Sequence, residues 1–365
     1  MKDYLKSVFV VLLIFIASAN IFAADEWTEI SKIVAIGDIH GDYKNYRQVL
    51  SDAGITNRRG NWIAGDTHFV QLGDLADRGP DTDKVIKHMM KLQRQAEASG
   101  GRVHALIGNH EVMNMLGDLR YVHPGEYNAL RSPNARKLRF DYYEREVARL
   151  HELDEGFTAD KVFRDQWQQV HPLGFVEHRL AWHFTGNFGA WVIQNNAIIK
   201  INRTLFLHGG VSPSLLALSI TEINSQIQDE LSGKIEHEEM LSQSDSGPLW
   251  YRGLASSSEE AEAVHVDAVL AAYDVDRIVL GHTPGHGIIL PKFGGKVLVI
   301  DTGISAHYGG HIASLRIEGN RFIARQGDQE LTLPSSAEEV LPYLERAAAL
   351  VDPPPALKRL LLKLR

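Results

Sequence analysis

Six segments of the chain pass through several consecutive apolar residues and then stop at Gly, Asp, Asn or His: KIVAIGD, HFVQLGD, RVHALIGN, TLFLHGG, RIVLGH and KVLVIDTG. Apolar runs of this length, closed by turn residues, predict strands buried on both faces. Between them lie stretches with helical spacing, from Asp81 to Ala98 and from Glu259 to Tyr273. Strand alternating with helix predicts an α/β layered domain. In such sheets the carboxyl ends of the strands present polar side chains and bind ligands.

The rhythm breaks over residues 112–190, where strand signals are weak and RSPNARKLRFDYYEREVARLHELDE has a helical pattern. The expectation is a helical insertion beside the site, within a catalytic domain spanning residues 24–330. From residue 331 a helical extension follows, broken at Pro353 to Pro355 and ending in the basic amphipathic segment ALKRLLLKLR. That end reads as a helix docked on the core, with contact to a membrane surface as the alternative. Residues 1–23 have the pattern of a signal peptide. Lys2 and Lys6 open it, Val8 to Ile16 is apolar, and small residues from Ala17 to Ala24 offer cleavage after Ala23 or after Ala19. An uncleaved anchor is the other reading, although the apolar run is short for a membrane span. Export implies a periplasmic or secreted protein with no stable membrane association after cleavage.

Composition narrows the chemistry. The chain has 365 residues, 44% hydrophobic and 23% charged, enough for a full core. A formal net charge of -8 with no basic block offers nothing to attract nucleic acid. Cysteine is absent, which excludes disulfides, thiolate metal sites and a cysteine nucleophile. Any metal must therefore sit on His, Asp, Glu or Asn.

In GDIHGD, Asp38 and His40 are two apart at the end of an apolar run, so in extended chain both point to one side and can reach one ion. Taken alone, Gly37 and Gly41 also fit a plain turn. The next strand ends in GDLADRG, with Asp74, Asp77 and Arg78, and the third in GNHE, with Asn109 and His110. His208 follows TLFL, and His282 follows RIVL. Five strand ends thus carry groups that bind a divalent ion or handle a phosphate. Buried carboxylates and imidazoles cost several kcal/mol unless something compensates them, and a shared ion does so.

GDIHG, GDLADRG, GNHE, HGGVSP and the later GH, in that order, resemble the signature of the phosphoprotein phosphatase branch of the calcineurin-like metallophosphoesterases. Within that branch the chain is most similar to the bacterial Shewanella-like protein phosphatases, over roughly residues 30–310. The resemblance implies two packed mixed β-sheets flanked by helices. It also implies two divalent ions, Mn, Fe or Zn. Asp38, His40 and Asp74 would hold the first ion, and Asp74 would bridge to a second completed by Asn109, His208 and His282. A metal-bridging hydroxide would attack phosphorus, with His110 as general acid oriented by Asp77, and with Arg78 and Arg252 on the phosphate. The implied substrates are phosphomonoesters, including phosphotyrosine, phosphoserine and phosphothreonine in proteins.

Some features depart from the wider superfamily. Many members carry G-H-x-H, whereas this chain has GHTPGHG, with Pro284 at the second histidine's place and His286 four residues beyond His282. Asp301 in VLVIDTG reads as a support for the site. Asp42 has no assigned role. An esterase reading fails for want of a G-x-S-x-G elbow, and FGGKV lacks the full P-loop spacing. The alternatives that stand are a dinucleoside polyphosphate hydrolase or phosphodiesterase with the same centre, and, in a different class, a non-catalytic metal-binding protein.

Overall fold

The computed structural model describes residues 24–234 and 240–365, so the expected signal peptide lies outside the described residues. In chain order the strands are β1 (Glu26–Trp27), β2 (Lys32–Ile36), β3 (His68–Gln71), β4 (Arg102–Ala105), β5 (Ile198–Ile201), β6 (Thr204–Leu207), β7 (Arg277–Leu280), β8 (Leu290–Lys292), β9 (Val297–Val299), β10 (Ala313–Glu318), β11 (Arg321–Gln326) and β12 (Gln329–Thr332). They form two six-stranded mixed sheets, ordered β1-β5-β6-β7-β9-β8 and β12-β11-β10-β2-β3-β4. One continuous apolar core joins them. Ile33, Phe69 and Leu315 contribute to it from one sheet, and Ile199, Phe206 and Val279 from the other. Each of the six expected strands is present. Their near-continuous burial follows from their place inside two covered sheets.

In one sheet β2, β3 and β4 are parallel neighbours; in the other, β6 pairs parallel with β7 and β7 with β9. Parallel pairing sends successive strands to the same edge, so each motif arrives there in turn. A helix follows each of the first three: Tyr43–Asp52, Thr82–Glu97 and Asn109–Leu116. Asp42, unassigned from sequence, is the N-cap of the first helix. One of its carboxylate oxygens accepts the Asn45 N–H at 3.0 Å, and the other accepts the Ala306 N–H at 2.9 Å. It therefore ties the first motif to the loop that carries His307 and Tyr308.

Between β4 and β5 the chain is helical, with Ala135–Leu153 the longest element and Pro124–Leu130, Lys161–Val170 and Phe175–Trp182 around it. Aromatic contacts join these helices, among them Tyr143 with Trp167 (ring centroids 5.0 Å apart) and Trp167 stacked on His171 (4.1 Å). At the carboxyl end, helices Ala337–Ala348 and Pro355–Leu364 bury Tyr343, Leu344 and Leu357, and the Tyr343 hydroxyl donates to the Ile289 carbonyl at 2.9 Å. Leu331 and Thr332, expected to begin the helical extension, instead close the sheet edge in β12. The turn at Gly327 lets them pair back onto β11. Among the described residues no helix is long and apolar enough to cross a membrane.

Candidate metal centre

The first two motifs are locked together through their main chains. Ile39 and His40 donate N–H groups to the Asp74 carbonyl at 3.0 and 2.9 Å, and Gly41 donates to Leu75 at 2.8 Å. At the contact between the loops, a Cβ on Gly41 would lie 2.5 Å from the Gly79 carbonyl oxygen, and one on Gly79 would lie 2.5 Å from that of His40. The glycines permit this close approach of two backbones. His40, Asp74, Asp77, Arg78 and His282 all hold positive φ without being glycine, five of the nine such positions among the described residues. Strain of this kind, concentrated in one place, marks a site whose surroundings dictate its geometry.

Three imidazoles are fixed in the same manner. His40 Nδ1 lies 3.2 Å from the Ala76 carbonyl, His208 Nδ1 2.7 Å from Leu72, and His282 Nε2 3.2 Å from Trp250. A carbonyl only accepts, so these nitrogens carry the protons. In a neutral ring held this way, the opposite nitrogen keeps its lone pair, and here it faces inward. That is the arrangement of metal-binding histidines. Burial pushes His40 down to about 3, and burial, with the nearby Arg252 charge, holds His282 well below its ordinary value. Both rings are neutral at pH 7, as ligands must be.

Asp74 stands at the middle. Its carboxylate belongs to two groups of donor atoms, each group lying within 4.8 Å: one with His40 and His110, the other with His208 and His282. His208 Nε2 is 3.3 Å from Asp74 Oδ1 and 2.9 Å from Asn109 Oδ1. A lone pair aimed at two further acceptors repels them unless a cation sits between. Although burial disfavours its charge, the imidazoles around it, His110 among them, hold Asp74 well below the usual carboxylate range. Asp38 accepts the His282 N–H at 3.1 Å and comes within 3.9 Å of His40 Nε2. Burial and the neighbouring Asp301 and Asp74 charges push it upward. Asp301, fully enclosed behind Asp38, is pushed up to about 6, first by burial, and one of its oxygens has no partner. Two crowded carboxylates facing neutral imidazoles and an amide oxygen form a donor set that fits divalent transition ions.

Beside this group His110 Nδ1 lies 2.5 Å from Asp77 Oδ2, and the His110 main-chain N–H donates to Asp74 Oδ1 at 3.0 Å. Asn114, one turn along the same helix, donates to Asp77 Oδ1 at 2.9 Å. Burial opposes charge on His110, but Asp74 and the Asp77 hydrogen bond overcome it and push the ring up to about 9. Its Nε2, 3.8 Å from Asp74 Oδ2, faces the same space as the inward nitrogen of His40. Glu111 has a role that the sequence reading missed. Its carboxylate accepts the N–H groups of Gly108, Asp74, Leu75 and Ala76 at 2.8–3.2 Å, which fixes the loop that presents Asp74. GNHE shows the acid but not this role, which exists only because the Asp74 loop meets it in space.

Arg78 and Arg252 lie next to residues of the centre. The Arg78 guanidinium lies over the Tyr121 ring, with Cζ 3.8 Å from the centroid. Arg252 donates from one amine to the His282 carbonyl at 2.5 Å and to the Thr283 hydroxyl at 3.1 Å. Tyr308 packs against His40 at 5.0 Å and completes the rim. His286 is in neither donor group; it lies near the cationic Lys292 and Arg359, away from the ligands.

Strand ends from two mixed sheets that converge on a shared aspartate, flanked by imidazoles, are the framework of a metallophosphoesterase. Residues 31–286 match the calcineurin-like phosphoesterase family, and the chain belongs to that family. It is similar to an uncharacterised protein of Schizosaccharomyces pombe, 34% identical over 79% of this chain and 77% of that one. Shewanella-like protein phosphatase 1 of Plasmodium berghei is 29% identical over 75% of this chain and 67% of its own length. Among solved structures, the cold-active protein-tyrosine phosphatase of a psychrophilic Shewanella species superposes with a TM-score of 0.65 and 30% identity, over 85% of this chain and 82% of that one. The protein is a hydrolase of phosphate esters, and its phosphatase relatives put it with the monoester hydrolases.

Proposed function

We propose that this chain is a metal-dependent protein phosphatase that acts on phosphotyrosine, phosphoserine or phosphothreonine. The observation that carries the reading is Asp74, shared between two donor groups, with the His110–Asp77 pair beside it. Asp38, His40 and Asp74 would hold one divalent ion, and Asp74, Asn109, His208 and His282 the other. When bound, two such ions supply Lewis-acid charge to the phosphate oxygens and activate water for attack. The chain's own groups do the rest. Arg78 and Arg252 present N–H donors to phosphate oxygens whose charge spreads in the transition state. His110, kept protonated by Asp77 and Asp74, gives its Nε2 proton to the leaving oxygen, and Asn114 keeps Asp77 aimed at Nδ1.

Several narrower assignments belong to the same proposal. The catalytic domain runs from residue 24 through β12, which ends at Thr332, with the 112–190 insertion contributing to the rim and the two helices beyond as an extension. The signal pattern in residues 1–23 favours export to the periplasm or medium, where a dinucleoside polyphosphate substrate is not expected. Mn, Fe and Zn all suit the donors. The test uses purified mature protein loaded with Mn and, separately, with Zn or Fe. It is offered phosphotyrosine and phosphoserine peptides, a dinucleoside tetraphosphate and a phosphodiester in parallel. Turnover of the phosphopeptides is expected; fast cleavage of the diester or the dinucleotide alone contradicts the reading.

A further inference from the structure

We propose that Tyr121, supplied by the helical insertion, is a positioning residue that holds Arg78 in the orientation in which it receives phosphate. The inference rests on the reading of Arg78 as a phosphate-binding group. Arg78 sits in a left-handed turn at φ 65°, and its N–H donates to the Tyr121 carbonyl at 3.1 Å. Its guanidinium lies 3.8 Å over the Tyr121 ring. One residue therefore secures both the main chain and the side chain of Arg78. The Tyr121 ring is itself confined. It packs against His110 at 5.2 Å, and Arg120, whose fork is occupied by Asp118 at 2.5–3.0 Å, lies 5.7 Å from its centroid.

The choice of an aromatic partner has a chemical consequence. Among the described residues Arg78 has no carboxylate ion-pair partner, and its Nε is buried without a hydrogen-bond acceptor. A carboxylate would fix a guanidinium through the same in-plane N–H groups that phosphate uses, and would compete with it. A ring uses only the guanidinium face, so the two terminal amines stay free for the oxygens of an anion. The same contact makes the 112–190 insertion part of the phosphate site rather than a cover over it.

The test compares the metal-loaded enzyme with Tyr121→Phe, Tyr121→Leu, Arg78→Ala and the Tyr121→Leu/Arg78→Ala pair, on an aryl phosphomonoester and with inorganic phosphate as inhibitor. Tyr121→Leu is expected to raise both KM and the inhibition constant of phosphate about tenfold, with kcat changed far less. Tyr121→Phe, which keeps the ring face, stays within about twofold of the parent. The double variant is no worse than Arg78→Ala alone, because the tyrosine acts only through the arginine. If Tyr121→Leu fails to fold, Tyr121→Met replaces it as the variant without a ring. Unchanged KM and phosphate inhibition in the ring-less variant, with Arg78→Ala impaired, overturn the proposal while the Arg78 reading survives. No effect of Arg78→Ala on either constant overturns the Arg78 reading, and this inference with it.

Discussion

Glu111 collects four main-chain N–H groups, three of them from the loop that begins at Asp74, in a place with almost no solvent. Removing the acceptor leaves those donors buried and unpaired, at about 1–3 kcal/mol for each that cannot find water. Glu111→Ala is therefore expected to lose about 3 kcal/mol or more and to bind less metal, while Glu111→Gln falls between. Thermal unfolding and metal analysis check this; an alanine variant as stable and as metal-rich as the parent would count against it. That Asp38, His40, Asp74, Asn109, His208 and His282 meet in one place could be read from the sequence because each lies just past an apolar strand. The roles of Glu111, Asn114 and Tyr121 could not be, because they depend on which loops meet in space. Arg78 could be named from GDLADRG, but nothing in the sequence says that a tyrosine 43 positions later would lie under it.

Among the elements, two expected helices emerged within a residue of their limits, Thr82–Glu97 and Glu259–Ala272. The hairpin of β10 and β11 was missed. Its alternating residues and the Gly319–Asn320 turn carry a hairpin signal, but not the unbroken apolar run of a strand buried on both faces. β5 was hidden for a related reason, since it continues into β6 through the tight turn at Asn202 and reads as one long run with it. Within the insertion, helix Phe175–Trp182 buries His178 completely, with neither ring nitrogen hydrogen-bonded. Burial, reinforced by the Arg179 charge, pushes it down to about 3. The folded ring stays neutral while the unfolded one takes a proton near about 6.5. The stability carried by the neutral ring is thus complete above about pH 6.5 and is lost as the pH falls toward about 3, by up to about 1.4 kcal/mol per pH unit. His178→Leu should lose less in Tm than the parent between pH 7.5 and pH 5. Equal losses in the two proteins would show that His178 does not titrate in this way.

At the scale of the whole molecule, the α/β class and the strand-end site were readable because parallel strands bring their carboxyl ends to one edge. The division into two sheets was not, since local patterns do not reveal which strands pair. Only the motif order pointed to it. The extension packs Tyr343, Leu344 and Leu357 onto the fold, which leaves the charged face of its last helix in solvent. What unites these levels is a single carboxylate, Asp74, shared by two groups of donor atoms, one with His40 and His110 and the other with His208 and His282; in the proposed reading His110 gives the proton and is not a ligand. Metal content and turnover, measured together on the parent, Asp74→Asn and His110→Asn, test this most directly. The account predicts two divalent ions per parent chain, loss of metal and activity in Asp74→Asn, and full metal content in His110→Asn with kcat reduced about 10²–10⁴-fold. A His110→Asn protein that has lost an ion, or an Asp74→Asn protein that keeps both, would contradict it.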